Sequence, residues 1–180
     1  MAQYPITSAG ASRRAVLQLA AMVAAGAGLG GCGFRLRGSQ AFAFQSIAIL
    51  PNPGGAMAQE LRTSFGPTVR VLAAGDDLKS AQLVLTLTDE RRGKSVVGVN
   101  VSGQVREFQL RLHVRLSLRT ASGKEISVGD DIMQRRDISY NESAALAKEA
   151  EEVLLYRDMQ TDVVQQILRR LATIQLGQLD

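Results

Sequence analysis

Two side chains of this 180-residue chain have types that commonly carry covalent or metal chemistry, the single cysteine Cys32 and the single histidine His113. One cysteine cannot form a disulfide within the chain, and a zinc site built from His and Cys needs three or four ligands. A Ser/His/Asp triad would have to use His113, yet the sequence has no nucleophile elbow and no phosphate-binding glycine-rich loop after a strand. We therefore expect no catalytic residue, no metal and no cofactor. The sequence favours a binding or assembly protein over an enzyme.

The residues before Cys32 predict an export signal. Residues 1–14 contain Arg13 and Arg14 and no acidic residue, and the next 17 residues, up to Gly31, are uncharged and rich in Ala, Gly, Leu and Val. A positive segment, an apolar segment and a small-residue exit are typical of a cleaved signal. The alternative is a membrane-spanning helix, which needs about 20 strongly apolar residues. With only three Leu, this segment fits a signal better.

The residues Leu29-Gly30-Gly31-Cys32 resemble the bacterial lipobox, in which the cysteine is acylated and becomes the mature N-terminus. Several acyl chains on one residue attach a protein stably to a membrane, because each buried CH₂ contributes about 0.8 kcal/mol. Gly33, in the place of Asp, resembles the sorting pattern for outer-membrane delivery. The Arg13-Arg14 pair resembles a twin-arginine signal, so the general and the twin-arginine export routes both stay open.

Charge is distributed unevenly along the chain. The net charge of +4 is modest, and Arg13 and Arg14 supply half of it, which argues against nucleic acid as a partner. Between Arg91 and Arg136, however, ten basic residues stand against four acidic ones. From Asp137 to Asp162 the balance reverses, with two basic and seven acidic residues. The basic excess and the acidic excess thus lie in two successive segments of the chain.

The clearest strand pattern places several cations in one row. Apolar and polar residues alternate over residues 107–119, so Arg111, Arg115 and Arg119 face one way together with His113. Arginine suits phosphate because its planar guanidinium donates two parallel hydrogen bonds. Two interpretations are open, an anion-binding surface or the ordinary solvated face of a half-buried sheet.

A single α+β domain is expected to position these side chains. Residues 45–50 favour a short strand, and Met57, Leu61 and Phe65 form one stripe of a short helix that Gly66 ends. Further strand patterns lie at residues 68–72, 81–88, 107–119 and 125–140. Residues 96–101 form an apolar, β-branched link, which is either hairpin core or an exposed patch for a partner.

A long helix is expected from about residue 144 to residue 172, capped by Asn141 or Ser143. Its apolar face is formed by branched aliphatic residues, namely Val153, Leu154, Val163, Val164, Ile167, Leu168 and Leu171. The element order β-α-β-β-β-α predicts two helices packed on one face of a mostly antiparallel or mixed sheet of four to five strands.

Several motifs together resemble the LptE family of lipopolysaccharide-assembly lipoproteins. The residues that directly follow Cys32 are similar to the start of mature LptE proteins, and later motifs resemble the family's central strand and final helix. These motifs are Gly33-Phe34-Arg35-Leu36-Arg37, Ser102-Gly103-Gln104, Glu107-Phe108-Gln109-Leu110, Ala145-Leu146-Ala147-Lys148 and residues 166–171. Their order spans the whole mature chain.

The resemblance implies a partner and a ligand. In the LptE family the α/β domain plugs the lumen of the β-barrel LptD, assists assembly of that barrel and handles lipopolysaccharide. A lysine at the position of Lys148 is implicated in lipopolysaccharide contact, although a surface lysine balanced by the neighbouring glutamates is the alternative. Some relatives carry an arginine where Val101 stands here. Arg106, or the row Arg111, Arg115 and Arg119, is then the candidate substitute.

The expected organisation has four parts. Residues 1–31 form a cleaved signal, 32–44 a lipidated linker, 45–174 the single domain and 175–180 a C-terminal tail. We expect the protein in the outer membrane, anchored by acyl chains on Cys32, with its domain facing the periplasm or lying inside the barrel. The alternative is a generic periplasm-facing lipoprotein that binds another envelope protein or peptidoglycan and has no lipid substrate.

Overall fold

The computed structural model describes residues 40–126, 131–175 and 177. Cys32, the lipobox and the Arg13-Arg14 pair lie outside these residues. Among the described helices, none is both long and apolar enough to cross a membrane.

Five strands form one mixed sheet in the order β2-β1-β3-β4-β5. In chain order the strands are β1 (Ser46–Leu50), β2 (Arg70–Val71), β3 (Leu83–Val99), β4 (Val105–Thr120) and β5 (Asp131–Ser139). β1 lies parallel to both β2 and β3, whereas β3, β4 and β5 are antiparallel to one another in succession. Helix α1 (Ala56–Ser64) connects β1 to β2, and helix α2 (Ala145–Leu171) follows β5.

The core lies between one face of this sheet and the two helices. Met57 and Leu61 of α1, Leu112 of β4, and Met159 and Val163 of α2 all belong to one cluster and are fully buried. The predicted α+β architecture, with two helices on one face of a mixed sheet, is confirmed. The short helix also ends as predicted, because Gly66 adopts a positive φ of 69° just after it.

The apolar face of α2 differs from the prediction at two positions. Val153 and Leu154, expected on the core side, are 69% and 60% exposed. The inward-facing stripe instead passes through Lys148, Glu152 and Tyr156, and Val153 lies about 100° around the helix from Glu152. The other five predicted positions, Val163, Val164, Ile167, Leu168 and Leu171, are buried.

An irregularity at Thr88 decides which residues of β3 face the helices. Leu87 pairs with Leu116 and Asp89 with Arg115, so Thr88 is an extra residue in the ladder. One extra residue reverses the side on which the following side chains lie. Beyond Thr88, Glu90, Arg92 and Lys94 therefore lie on the helix-covered side, while Asp89 and Arg91 lie on the opposite side.

The β3–β4 hairpin is longer than the sequence patterns indicated. Residues 96–99, interpreted as part of a link between strands, belong to β3, and Val99 pairs with Val105. The Asn100 side-chain oxygen holds the turn by accepting from the backbone N–H groups of Ser102 and Gln104, at 3.0 and 2.9 Å. The apolar residues near the turn are exposed, and Val101 is fully so.

Other element boundaries also shift. The strand predicted at 68–72 is reduced to Arg70–Val71. Of the strand predicted over 125–140, the structure describes Asp131–Ser139 as β5 and an isolated antiparallel bridge between Glu125 and Arg119. Val84 lies on the side of β3 that faces away from α1 and α2, where it is fully buried in a second small cluster with Ala48, and Leu50 and Leu78 pack against that cluster. Asn141 caps the 3₁₀ turn that precedes α2, where its side chain accepts from the N–H of Ser143.

Candidate functional site

The first turns of α2 and the adjacent ends of three strands enclose a small pocket of about 100 Å³. We call this the lysine corner, and its lining residues are Lys94, Phe108, Ile138, Ser139, Tyr140, Lys148, Glu149 and Glu152. Phe108 and Tyr140 meet edge to face with ring centroids 5.1 Å apart, which forms an aromatic wall.

Lys148 lies where a core residue would be expected. It shares the inward-facing stripe of α2 with Glu152 and Tyr156, and its side chain is only 22% exposed. Its Nζ donates to Ser139 Oγ at 3.0 Å and to Glu151 Oε2 at 2.8 Å. The ammonium group is thus turned towards the sheet and held in place by a hydroxyl and a carboxylate.

Lys94 brings a second cation to the lysine corner, and sequence reasoning missed it. Its Nζ lies 2.6 Å from Glu152 Oε2 and 4.3 Å from the centre of the Phe108 ring. Only the extra residue at Thr88 turns Lys94 to the helix-covered side, and nothing in the local sequence signals that residue. Because Glu149 and Glu152 also line the pocket, the two lysines are balanced by carboxylates.

Arg106 lies at the same end of the sheet. Its carbonyl oxygen accepts from the backbone N–H of Tyr140 at 2.7 Å, and its Nη2 donates to Gln104 Oε1 at 3.4 Å. It lines a separate pocket of about 80 Å³ with Asn141 and Glu142. Arg106 and Lys148 are thus both neighbours of Tyr140, but they line different pockets.

On the opposite side of the sheet, away from α1 and α2, the three antiparallel strands carry five arginines. We call this side the arginine face, and its members are Arg91 on β3, Arg111, Arg115 and Arg119 on β4, and Arg135 on β5. The sequence predicted the three members on β4. It could not assign Arg91 and Arg135, because their side depends on the register with β4.

Two of these arginines are neutralised by nearby carboxylates. Arg91 lies 2.6 Å from Asp89 Oδ2, and this contact holds the pKa of Asp89 below its usual value, with help from the charges of His113 and Arg115. Arg115 Nε and His113 Nε2 share Asp131 Oδ1, at 3.3 and 3.1 Å. These residues form a charge-balanced part of the face.

Arg111 and Arg135 form the unbalanced part. They are direct cross-strand partners, and Gly93 is the partner of Arg111 on its other side. Arg111 Nη2 donates to Ser95 Oγ at 2.6 Å, and Arg135 Nη2 donates to the Met133 sulfur at 3.3 Å. Neither guanidinium has a carboxylate partner among the described residues. Because Gly93 has no side chain, the surface beside Arg111 stays open.

Arg119 lies too far along the strand to join this pair. It is half-buried opposite Val84. Eight residues separate it from Arg111, about 27 Å at the usual rise per residue. One phosphate group therefore cannot contact both Arg111 and Arg119.

Comparison with known proteins agrees with the resemblance seen in the sequence. The model of the LptE family, described as lipopolysaccharide-assembly, matches residues 41–171. The chain belongs to the LptE family.

Individual LptE relatives cover most of the chain. The LPS-assembly lipoprotein LptE of Yersinia enterocolitica is 28% identical over 167 residues, which are 91% of this chain and 77% of that protein. The protein of the same name from Yersinia pestis is 27% identical over 162 residues, covering 88% and 74% of the two chains.

Solved structures share the fold. The solution structure of an uncharacterized lipoprotein B from Nitrosomonas europaea has a TM-score of 0.66 and 30% identity, covering 78% of this chain and 90% of that one. The crystal structure of rare lipoprotein B from Shewanella oneidensis has a TM-score of 0.60 and 21% identity, covering 72% and 95%.

In this member of the LptE family, the cations singled out from the sequence do not form one site. Lys148 belongs to the lysine corner on the helix side of the sheet, whereas Arg111 and Arg115 lie on the opposite side. Within residues 40–126 and 131–175, no group of three or more His, Cys, Asp and Glu is arranged to hold a metal ion. Cations without a carboxylate partner among the described residues lie on the arginine face, whereas the lysines of the lysine corner are paired with glutamates.

Proposed function

We propose that this LptE-family protein pairs with the β-barrel LptD as its plug and assembly factor, and assists lipopolysaccharide delivery to the outer leaflet. In this proposal it is an outer-membrane lipoprotein, anchored by acyl chains on Cys32, with its domain facing the periplasm or inside the barrel. Membership of the LptE family supports the assignment. The observation that supports an anionic ligand is the pair Arg111 and Arg135, which has no carboxylate partner among the described residues and lies on the side of the sheet away from α1 and α2.

Lipopolysaccharide matches this pair chemically. Its lipid A and inner core carry phosphates, and each guanidinium can present a fork of two N–H donors to such a group. Like charges directly opposite on neighbouring strands repel each other. An anion bound between Arg111 and Arg135 would relieve that repulsion. The loss of this unfavourable interaction would then add to the free energy of binding.

Lys148 and Arg106 provide the second proposed contact. Lys148 is already oriented by Ser139 and Glu151, and Arg106 is close to it through their common neighbour Tyr140. A phosphate at the lysine corner has to compete with Glu151 for the ammonium group. We therefore propose that this site contacts one part of a larger ligand and does not capture a free phosphate by itself.

Arg115 and Arg119 have weaker roles in this scheme. Arg115 is neutralised by Asp131, and Arg119 is half-buried at the far end of β4. Arg119 adds to the positive potential that attracts a polyanion over a Debye length of about 8–10 Å in physiological salt. We do not expect either to hold a phosphate by itself.

Affinity purification from detergent-solubilised outer membranes tests the proposal. The full-length protein should bring down one large β-barrel in about one-to-one ratio, and the purified protein should bind purified lipopolysaccharide. A protein that binds neither contradicts the proposal. Capture of peptidoglycan or another envelope protein in place of the barrel would establish the generic lipoprotein alternative.

A further inference from the structure

Helix α2 carries an apolar surface that the fold does not use. Leu146, Val153 and Leu154 are 83%, 69% and 60% exposed, and Ala147 and Ala150 are exposed between them. We call these five residues the α2 patch. Single exposed apolar residues are ordinary, but adjoining ones mark contact surfaces.

The α2 patch is one continuous stripe. Leu146, Ala150, Val153 and Leu154 follow the spacing i, i+4, i+7 and i+8, which places them on one side of a helix. The stripe extends about 12 Å along the axis at 1.5 Å per residue. It points away from the sheet, because the buried side of the helix runs through Tyr156 and Met159.

The surroundings of the α2 patch are acidic. Glu149 lies on one side of the stripe, and Glu151 and Asp158 lie on the other, all exposed. From Asp137 to Asp162 the chain contains seven acidic and two basic residues. An apolar surface with an acidic border is complementary to a partner surface whose own border is basic.

A polar cleft of about 490 Å³ between α1 and α2 continues this surface. Arg157 lines it next to Gln59 and Thr63, and this guanidinium has no acidic partner among the described residues. Glu60, also in the cleft, is satisfied internally by Gln160 and Thr161, at 2.8 and 2.7 Å. The guanidinium of Arg157 can thus donate hydrogen bonds to a carboxylate or carbonyl group of a partner that covers the patch.

Charge disfavours two other occupants. Lipopolysaccharide would bring its phosphates against the acidic border, and a second copy of this chain would bring acid against acid across a two-fold axis. A protein surface that is apolar at its centre and bordered by Lys or Arg satisfies both the patch and its border.

We propose that the α2 patch is the docking surface for such a basic-bordered protein partner and, resting on the function proposed above, that this partner is the barrel. The two activities are then carried by opposite sides of the domain. A protein docked on α2 leaves the arginine face, on the other side of the sheet, open for the anionic ligand.

The test compares the full-length wild type with Val153→Gln/Leu154→Gln during co-purification with the barrel from solubilised outer membranes. Both side chains are exposed, so the variant should melt at the wild-type temperature and bind lipopolysaccharide normally. We expect recovery of the barrel to fall about tenfold or more, since two apolar contacts are lost. The matched control is Met133→Gln, which replaces a similarly exposed apolar residue on the arginine face and should recover the barrel within about twofold of wild type.

A border variant tests the charge argument in the same assay. Glu149→Lys/Asp158→Lys should weaken barrel recovery, and added salt should reduce the difference from wild type. If Val153→Gln/Leu154→Gln recovers the barrel as well as wild type does, or if Met133→Gln loses it equally, the docking surface is wrong while the proposed function stands. If the wild type itself recovers no barrel, the proposed function fails and the assignment of the patch fails with it.

Discussion

Arg111 and Arg135 lie directly opposite each other on neighbouring antiparallel strands, on the side of the sheet away from α1 and α2, and neither meets a carboxylate among the described residues. The neighbouring Arg115 is paired with Asp131. Two like charges kept side by side cost stability, and an anion that bridges them removes that cost. The pair therefore lowers the stability of the free protein at the same place where it favours the binding of an anion.

Removing both guanidinium groups should lower the affinity for lipopolysaccharide. Because both side chains are exposed, each contact should contribute about 0.5–1.5 kcal/mol to the free energy of binding. The variant Arg111→Gln/Arg135→Gln should therefore bind about tenfold more weakly. Titration of purified lipopolysaccharide at several salt concentrations measures this, and the wild type should show the steeper salt dependence. Arg115→Gln is the matched control, and an equal loss there would show that only net charge matters.

The single variant Arg135→Gln should raise stability while it weakens binding. Loss of the like-charge neighbour should increase the free energy of unfolding by about 0.2–1 kcal/mol at low salt. Denaturant titration of wild type and variant gives the difference, which should shrink as salt screens the charges. A variant less stable than wild type would mean that Arg135 is held by favourable contacts and is not poised for a ligand.

Lys148 and Arg106 should contribute to the same ligand from the other side of the sheet. Changing both, as Lys148→Gln/Arg106→Gln, should weaken lipopolysaccharide binding by up to about tenfold, because Arg106 is exposed and Lys148 is already paired with Glu151. Recovery of the barrel should be unchanged if its interface is mainly shape and apolar contact. Normal lipopolysaccharide binding with lost barrel recovery would assign these two cations to the protein interface.

The buried half of α2 should dominate the stability of the domain. Ile167 is 1% exposed, so Ile167→Ala should lower the free energy of unfolding by about 2–5 kcal/mol. Asp158→Ala and Val153→Ala, at exposed positions, should each change it by less than about 0.5 kcal/mol. Equal melting temperatures for Ile167→Ala and Asp158→Ala would contradict the packing described for this helix.

Asp89 should give the domain a pH-dependent contribution in the acid range. Its pKa is lowered in the folded state by the contact with Arg91, so the folded state prefers the carboxylate more than the unfolded chain does. The contribution is complete above the unfolded pKa and disappears as pH falls through the folded pKa. The stability difference between wild type and Asp89→Asn should therefore be present at about pH 6 and vanish towards about pH 2. A difference that grows on acidification would reverse this assignment.

The mature protein should begin at Cys32 and carry acyl chains. Intact-mass measurement on protein from membranes should show the loss of residues 1–31 and an added lipid mass. The variant Cys32→Ser should lose the membrane attachment. A mature form that retains Met1 or a free thiol at Cys32 would contradict lipidation.

The sequence predicted the fold class because its two strongest periodic patterns are the elements that form the core. Alternation along β4 identified Leu112 and its neighbours, and helical spacing identified Ile167 and its neighbours in the second half of α2. Both patterns arise from burial on one side of a regular element, which is the property that a sequence records most directly.

The candidate site was predicted only in part, because its remaining members depend on pairing between strands. Lys94 reaches the helix side through the extra residue at Thr88, and Arg135 reaches Arg111 through the β4–β5 register. Neither event has a local signal such as Gly or Pro. Val153 was assigned to the core because an exposed aliphatic residue and a buried one look alike in a helical pattern.

The position of β5 at the edge of the sheet has a consequence for solubility. An edge strand presents unpaired backbone groups that can recruit a strand from another chain, and charged side chains oppose this. Of its nine residues, Asp131, Arg135, Arg136 and Asp137 are charged. A second molecule aligning its own β5 antiparallel or parallel would have to accommodate these charges at close range. The guanidinium of Arg135, which we propose as a ligand contact, thus also opposes self-association of the chain through β5.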